Sequence, residues 1–358
     1  MEGVLRHLTK IAAVIGATTL LVAGCGQKPS DNNSASGGDG GGAKYKACMV
    51  LDVGGVDDKS FNQSAWQGMQ EAAKANSDID VSYVQSQGDA DYEPNLNNSV
   101  SKGCDVTIAV GGLLATATDK VAKANPDKNF AIIDAPSGAG NVYGITFHNE
   151  QGGFLAGYVA ASLSKTGKVG TWGGIDVGPP VTGYMDGFKQ GAEYWGQQNG
   201  KKITVLGWDG KKGSFANSFT DTGAGKSTSE ALVQQGADVI FPVAGGAGAG
   251  AFDVAQAQGG KVSVIWVDFP GCTYYPDDCK YIPTSALKAI PQNVKDYVTK
   301  AADGNIPTGT YEGTLENDGV GIDGFNDFDS KISAKTKSGL DQVRQDIIDG
   351  KIKITVNQ

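Results

Sequence analysis

Residues Met49–Ala73 read MVLDVGGVDDKSFNQSAWQGMQEAA, and this stretch decides the fold. An apolar run ends in Asp52, a glycine-bearing loop follows, and from Ser60 apolar residues recur at Phe61, Ala65, Met69 and Ala72. That recurrence is the period of an amphipathic helix. Strand, turn and helix in this order make the first βα unit of a parallel sheet. Such sheets bind ligands at the loops beyond the carboxyl ends of their strands. The cluster Asp57, Asp58, Ser60, Phe61 and Asn62 therefore stands where a ligand would sit. Ser60 is expected to cap the helix, which sets Phe61 at its mouth; the alternative is that Phe61 plugs the underside of the loop.

Outward from this unit the alternation continues. IDVSYVQS (79–86), CDVTIAVGG (104–112), FAIID (130–134) and VYGITF (142–147) read as strands, with helices over 91–103 and 114–125. The pattern then begins again with a small-residue helix, GGFLAGYVAASLSK, followed by the strands KVGTWGG, ITVLGW, ADVIFPV and VSVIWVD and helices over 182–198, 222–235 and 248–258. Strands alternating with helices are the signature of doubly wound parallel sheets. Two such halves in tandem predict two lobes with a cleft between them, and clefts between lobes are preferred ligand sites. The last segment is too short for a third domain and is expected to lend closing elements to both. The lobes are predicted as 44–148 plus about 269–304 and 149–268 plus about 305–358, with crossovers near 148, 269 and 305.

At 358 residues the chain exceeds the size at which a single core usually stops growing. Residues 1–24 are expected to be an export signal, with Arg6 and Lys10 ahead of an apolar run too short for a permanent span. Val22-Ala23-Gly24-Cys25 has the form of a bacterial lipobox, which would make Cys25 the lipidated amino terminus, and GQKPSDNNSASGGDGGG behind it reads as a flexible tether to residue 43. Removing 1–24 takes away Arg6, Lys10 and Glu2, a net +1, so the formal charge goes from −9 to −10. An acidic extracytoplasmic chain is a poor partner for nucleic acid. Four further cysteines, Cys48, Cys104, Cys272 and Cys279, are expected to form two disulfides in that compartment. Cys48 and Cys104 lie on strands that could be neighbours, and Cys272 and Cys279 bracket the short loop TYYPDD. No metal site is expected, since no CxxC pair occurs and the two histidines are His7 and His148.

Two motifs point elsewhere. GAGKST (223–228) resembles the end of a phosphate-binding loop, but Thr220 stands where its first glycine belongs and SFANSF stands where a strand belongs. It reads as a helix start carrying Lys226. Gly246, Gly248 and Ala251 satisfy a relaxed dinucleotide fingerprint, with Asp268 ending the next strand where a ribose-binding carboxylate belongs. Export counts against a resident nicotinamide, yet backbone N–H groups converging with a carboxylate suit sugar hydroxyls. No cofactor is expected. His148 stands alone, and neither G-x-S-x-G nor H-E-x-x-H occurs, so no catalytic set is selected.

The lipobox, DDKSFNQSAWQGMQ, FAIID, GGFLAGYVAASLSKTGKVGTWGG, SFTDTGAGK, QGADVIFPVAGGAGAG and TSALK, in that order, resemble the basic membrane protein family across the whole mature chain. These are lipid-anchored substrate-binding proteins of ABC importers, with purine nucleoside receptors among them. The resemblance implies a type I periplasmic-binding-protein fold, two α/β doubly wound lobes joined by three hinge crossovers. It also implies a non-enzyme that captures a nucleoside, a permease and ATPase as partners, a lipid anchor as the membrane contact, and a monomer.

By that resemblance a base is sandwiched between Phe61 and Phe219, with polar base contacts from Asn62 and Asp134 and with Asp52 and Asp58 nearby. Ribose contacts fall on Gly245 or Gly246, Asp268 and Lys288 of TSALK. The chain departs from the pattern after Asp268, where FPGCTYYPDDCKY forms a cysteine-closed loop, and before Phe219, where GKKGSFAN makes Phe215 a rival for the second ring. Other readings are a binder of a sugar or flavin, an extracytoplasmic nucleoside hydrolase, and a surface adhesin or sensor.

Overall fold

The computed structural model describes residues 44–357; the expected signal, Cys25 and the tether lie outside the described residues. Tyr45–Leu51 forms strand β1, and its last five residues are buried, as befits a parallel strand covered by helices on both faces. It is followed by α1 (Phe61–Ala75), β2 (Ile79–Gln85), α2 (Tyr92–Ser101), β3 (Val106–Val110), α3 (Ala115–Ala124), β4 (Asn129–Ile133) and β5 (Val142–Phe147). β1 lies between β2 and β3, so Cys48 on β1 and Cys104 just before β3 come within 6.0 Å at Cα and are disulfide-bonded.

The second lobe comprises α4 (Asn149–Leu163), β6 (Lys168–Gly173), α5 (Pro179–Asn199), β7 (Thr204–Leu206), α6 (Thr222–Gln234), β8 (Val239–Val243), α7 (Gly250–Ala257), β9 (Ser263–Val264), β10 (Trp266–Asp268), α8 (Gly271–Tyr274) and β11 (Ser285–Lys288). The chain ends with α9 (Ile290–Ala302), β12 (Thr310–Gly313), β13 (Val320–Ile322) and α10 (Ala334–Ile348). The first sheet runs β12-β5-β4-β3-β1-β2 and is parallel throughout. The second lobe carries β7-β6-β8-β9 and β10-β11-β13. VSVIWVD, read as one strand, is two: the pairing changes at Ile265, so β9 pairs with β8 while β10 pairs with β11.

The lobe boundaries differ from the sequence expectation beyond the first crossover. β11 pairs in parallel with β10, Trp266 opposite Ser285, which puts 269–288 with the second lobe. β12 pairs with β5, Thr310 opposite Gly144, which puts 310–313 with the first. The crossovers therefore fall at His148, at Ala289 between β11 and α9, and after Gly313 between β12 and β13. Hydrogen-bond pairing between segments far apart in sequence decided this, and periodicity within each segment carries no such information. α9 does lie with the first lobe, where Val294, Tyr297 and Val298 share a core with Met49, Leu51, Ala65 and Met69.

α4 and α5 pack almost backbone to backbone. A Cβ on Gly157 would meet the Phe188 carbonyl, and one on Gly191 would meet that of Phe154. Glycine at both positions is what lets two helices approach this closely, and it buries Phe154, Tyr184, Phe188 and Phe241 in one cluster. The pair packs on the second lobe's sheet and brings the Tyr184 ring within 5.5 Å of the Lys288 ammonium.

Candidate functional site

Between the lobes lies a cleft of about 560 Å3, part of it open to solvent, walled by the loops at the carboxyl ends of the strands from both lobes. From the first lobe come Asp52, Asp58, Phe61, Asn62 and Asp134, and from the second Phe219, Gly245, Asp268 and Lys288. Nine of the residues singled out in the sequence thus meet at one cavity. Gly246 does not: it faces a neighbouring depression with Asp57, Lys59 and Tyr275. The two phenylalanines compared for the second ring separate cleanly. Phe219 lines the cleft and packs on Gly174, whereas Phe215 packs on Gly173 and Val181 and meets Trp208 edge-on at 6.3 Å.

The α1 entrance is organised by Asp58 rather than by Ser60. Asp58 Oδ2 accepts from Asn62 N at 2.8 Å, and its Oδ1 accepts from Ser60 N and Gln63 N, both at 3.0 Å. Ser60 holds the N-cap position but its hydroxyl donates across the cleft to Val267 O at 3.1 Å and Asp268 Oδ2 at 3.2 Å. An aspartate two residues earlier offers two oxygens to three N–H groups, which a single hydroxyl cannot match. Burial pushes the Asp58 carboxyl up to about 7 against those hydrogen bonds. Burial likewise raises Asp52, whose Oδ1 accepts from Gly54 N and from the Asn62 amide, each at 2.9 Å.

Among the described residues, Lys288 is the one cation that lines the cleft. Its Nζ lies 2.8 Å from Asp134 Oδ2 and 3.6 Å from Asp268 Oδ1, with the rings of Phe61, Tyr184 and Phe147 at 5.0, 5.5 and 5.7 Å. Burial lowers its basicity, but Asp134 and Asp268 outweigh that and hold the ammonium above its ordinary value. Asp134 and Asp268 both adopt left-handed backbone, φ 64° and 68°. Strain of this kind costs on the order of 1–3 kcal/mol and gathers at functional sites. Here it turns both carboxylates back over the strand ends. Asn62 Oδ1, Asp268 Oδ1 and the Tyr184 hydroxyl are buried without a hydrogen-bond partner. Orphaned polar atoms around one cavity are sites where a ligand's donors and acceptors restore pairing.

Several wall residues escaped the sequence reading. Gly111, Gly112 and Leu113 come from the loop after β3, Val177 from the loop before α5, and Pro180 and Val181 from the first turn of α5. The loop after β3 was findable by the strand-end rule that found Asp52. Gly111, at φ 107°, lets Asp52 Oδ2 lie where its Cβ would be. Tyr184 had no local signal, being one apolar position among many on α5. The glycines of GAGKST serve packing: Gly225 abuts the Ala247 carbonyl, and Asp221 caps α6 by accepting from Ala224 N at 2.9 Å.

The sequence model for PnrA-like ABC transporter substrate-binding proteins matches residues 45–358. The chain belongs to this Bmp family. Among relatives of this Bmp protein, the ABC transporter nucleoside-binding protein BmpA of Lactococcus lactis is 33% identical over 98% of the chain and 99% of its own length. Basic membrane protein A of Borreliella burgdorferi is 31% identical over 87% and 88%. Among solved structures, a solute-binding protein of an ABC transporter system from Aeropyrum pernix superposes with a TM-score of 0.80 at 26% identity, covering 88% of this chain and 94% of that one. A solute-binding protein from Actinobacillus succinogenes with bound D-allose, 17% identical with a TM-score of 0.60, shares the fold. The Bmp protein is thus an ABC transporter substrate-binding protein of type I periplasmic-binding-protein fold.

Proposed function

We propose that the protein captures a nucleoside, with a purine as base, and presents it to an ABC permease from outside the membrane, held there by lipid on Cys25. The observation that carries this reading is the pairing of Phe61 from one lobe with Phe219 from the other at a single cavity bordered by buried carboxylates. Aromatic faces on two sides suit a flat heterocycle, and each ring–base stack is worth about 1–3 kcal/mol. Asn62 and Asp134 serve the base edge, with Asp52 and Asp58 behind them, while Asp268, Lys288 and Gly245 serve the ribose. Four carboxylates lining the cavity, against a single lysine paired with two of them, give a wall with surplus acceptors, which favours a ligand rich in N–H and O–H donors and free of negative charge. The lactococcal relative's description as nucleoside-binding agrees with this chemistry.

The test is calorimetric titration of the purified protein with guanosine, inosine, adenosine, hypoxanthine, ribose, riboflavin and guanosine monophosphate. The reading expects nucleosides to bind reversibly and unchanged, with free base and ribose each far weaker and the monophosphate excluded. Binding of ribose or riboflavin with no response to any nucleoside would overturn it, and release of free base during incubation would make the protein a hydrolase.

A further inference from the structure

The cysteine-closed loop after Asp268 reaches from the second lobe to the α1 entrance of the first, beside a depression next to the cleft. Its closure by Cys272–Cys279 spans a sequence separation of seven. Inside it, Tyr275 packs tilted against Phe252 and edge-on against Trp266, each with ring centroids 4.9 Å away. The same Tyr275 ring receives the Lys59 ammonium of the first lobe at 4.5 Å. Next to it, the Tyr274 hydroxyl donates to Gln67 Oε1 on α1 at 3.3 Å, and the Trp266 indole donates to the Lys59 carbonyl at 3.2 Å. Lys59 itself adopts φ 53°, a left-handed backbone that a lysine takes only under constraint. Gly271 N donates to Ser285 Oγ at 2.9 Å, tying the loop's first turn to β11.

We infer that Lys59, Tyr274 and Tyr275 are positioning residues that clasp the two lobes shut, and that the Cys272–Cys279 bond holds the clasp's second-lobe half in shape. This deepens the reading of the cleft as a capture site. The coupling to that site is short. Lys59 lies between Asp58 and Ser60, one residue from the cap of α1 and two from Phe61, and the loop begins just after Asp268. Opening the clasp therefore loosens both walls of the cavity together, leaving the Ser60–Asp268 and Lys288–Asp134 contacts to join them. A residue that holds the lobes closed around a ligand acts on its release; because ligand enters the open form, loss of the residue raises the dissociation rate and does not slow association.

Two arms test this. The first needs no ligand: hydrogen exchange of backbone amides over 57–67 and 271–282 is compared between the native protein, Lys59→Gln, and the Cys272→Ser/Cys279→Ser double variant. Lys59 is exposed, so its substitution leaves the core intact. Exchange in both segments should rise about two- to tenfold in each variant, the size of losing one partly exposed cation–π contact, with the rest of the sheets unchanged. Equal exchange in Lys59→Gln and the native protein would overturn the clasp, and that variant decides the matter should the serine pair loosen the whole second lobe. The second arm uses guanosine as probe in stopped-flow. Dissociation should quicken by a similar factor in Lys59→Gln with association no slower; a change confined to association would overturn the inference. If neither guanosine, inosine nor adenosine binds, the nucleoside reading fails and the exchange arm still judges the clasp.

Discussion

Lys288 reaches from the second lobe's sheet to place its ammonium 2.8 Å from the carboxylate of Asp134, at the end of β4 in the first lobe, with both side chains all but sealed from solvent. The pair joins the lobes at the floor of the cleft, and removing its cation leaves a buried carboxylate without a partner. Lys288→Met is expected to destabilise the protein by about 3–5 kcal/mol at neutral pH, the usual effect of breaking a buried pair from one side. The deficit should shrink in acid, where Asp134 takes up a proton and no longer needs the lysine. Chemical denaturation at pH 7.5 and 5 measures both effects; a deficit independent of pH would contradict this account.

Asp58 provides a second pH dependence. Its carboxyl moves from its ordinary 3.8 to about 7 through burial, so the folded protein holds a proton that the unfolded chain has released. Stability from this group is complete below its ordinary value and is lost as pH rises through 7. The change amounts to on the order of 4 kcal/mol at about 1.4 kcal/mol per unit. Asp58→Asn keeps an oxygen for the α1 amides and removes the titration. The stability of the native protein should fall from pH 4.5 to 7.5, and the variant should show a flatter profile.

The two phenylalanines of the segment before α6 should respond in opposite ways. Phe219→Ala is expected to weaken nucleoside binding by about 1–3 kcal/mol while leaving stability nearly untouched. Phe215→Ala removes a ring packed on Val181 and Trp208 and should cost about 2–3 kcal/mol of stability, less than a fully buried phenylalanine. Calorimetric titration alongside thermal unfolding separates the two effects, and a reversed pattern would exchange their roles.

Close approach of α4 and α5 should make Gly157 intolerant of a methyl group. A Cβ there collides with the Phe188 backbone, which cannot turn aside as a flexible side chain would. Gly157→Ala is expected to destabilise by about 1–3 kcal/mol through overpacking. Gly140→Ala is the control, since nothing lies within 4 Å of its added carbon. Equal unfolding midpoints for both variants would refute the close-packing account.

The two disulfides should contribute unequally. Cys48–Cys104 spans 56 residues and Cys272–Cys279 seven. Loop-closure entropy gives the first about 4 kcal/mol and the second about 2–3 kcal/mol. Serine replacement of each pair, followed by denaturant titration, tests the order.

The sequence by itself determined the alternation of strand and helix, the two-lobed class, and most of the cavity's polar residues. These are local properties: Asp52, Asp58, Asp134 and Asp268 all stand at or just beyond the ends of apolar runs, and a parallel sheet delivers strand ends to a common edge. Phe61 at the mouth of α1 and the cysteine-bracketed loop were legible for the same reason. The lobe to which each closing segment belongs was decided by the tertiary structure alone, because β12 is chosen by hydrogen bonding with β5, far away in sequence, and β11 by pairing with β10 across the intervening loop. So was the role of Ser60, whose hydroxyl is drawn from its own helix to Val267 and Asp268 in the other lobe. Lys288 marks the division most clearly: in sequence it is an ordinary lysine after an apolar strand, and only the meeting of two lobes surrounds it with two carboxylates and three aromatic rings.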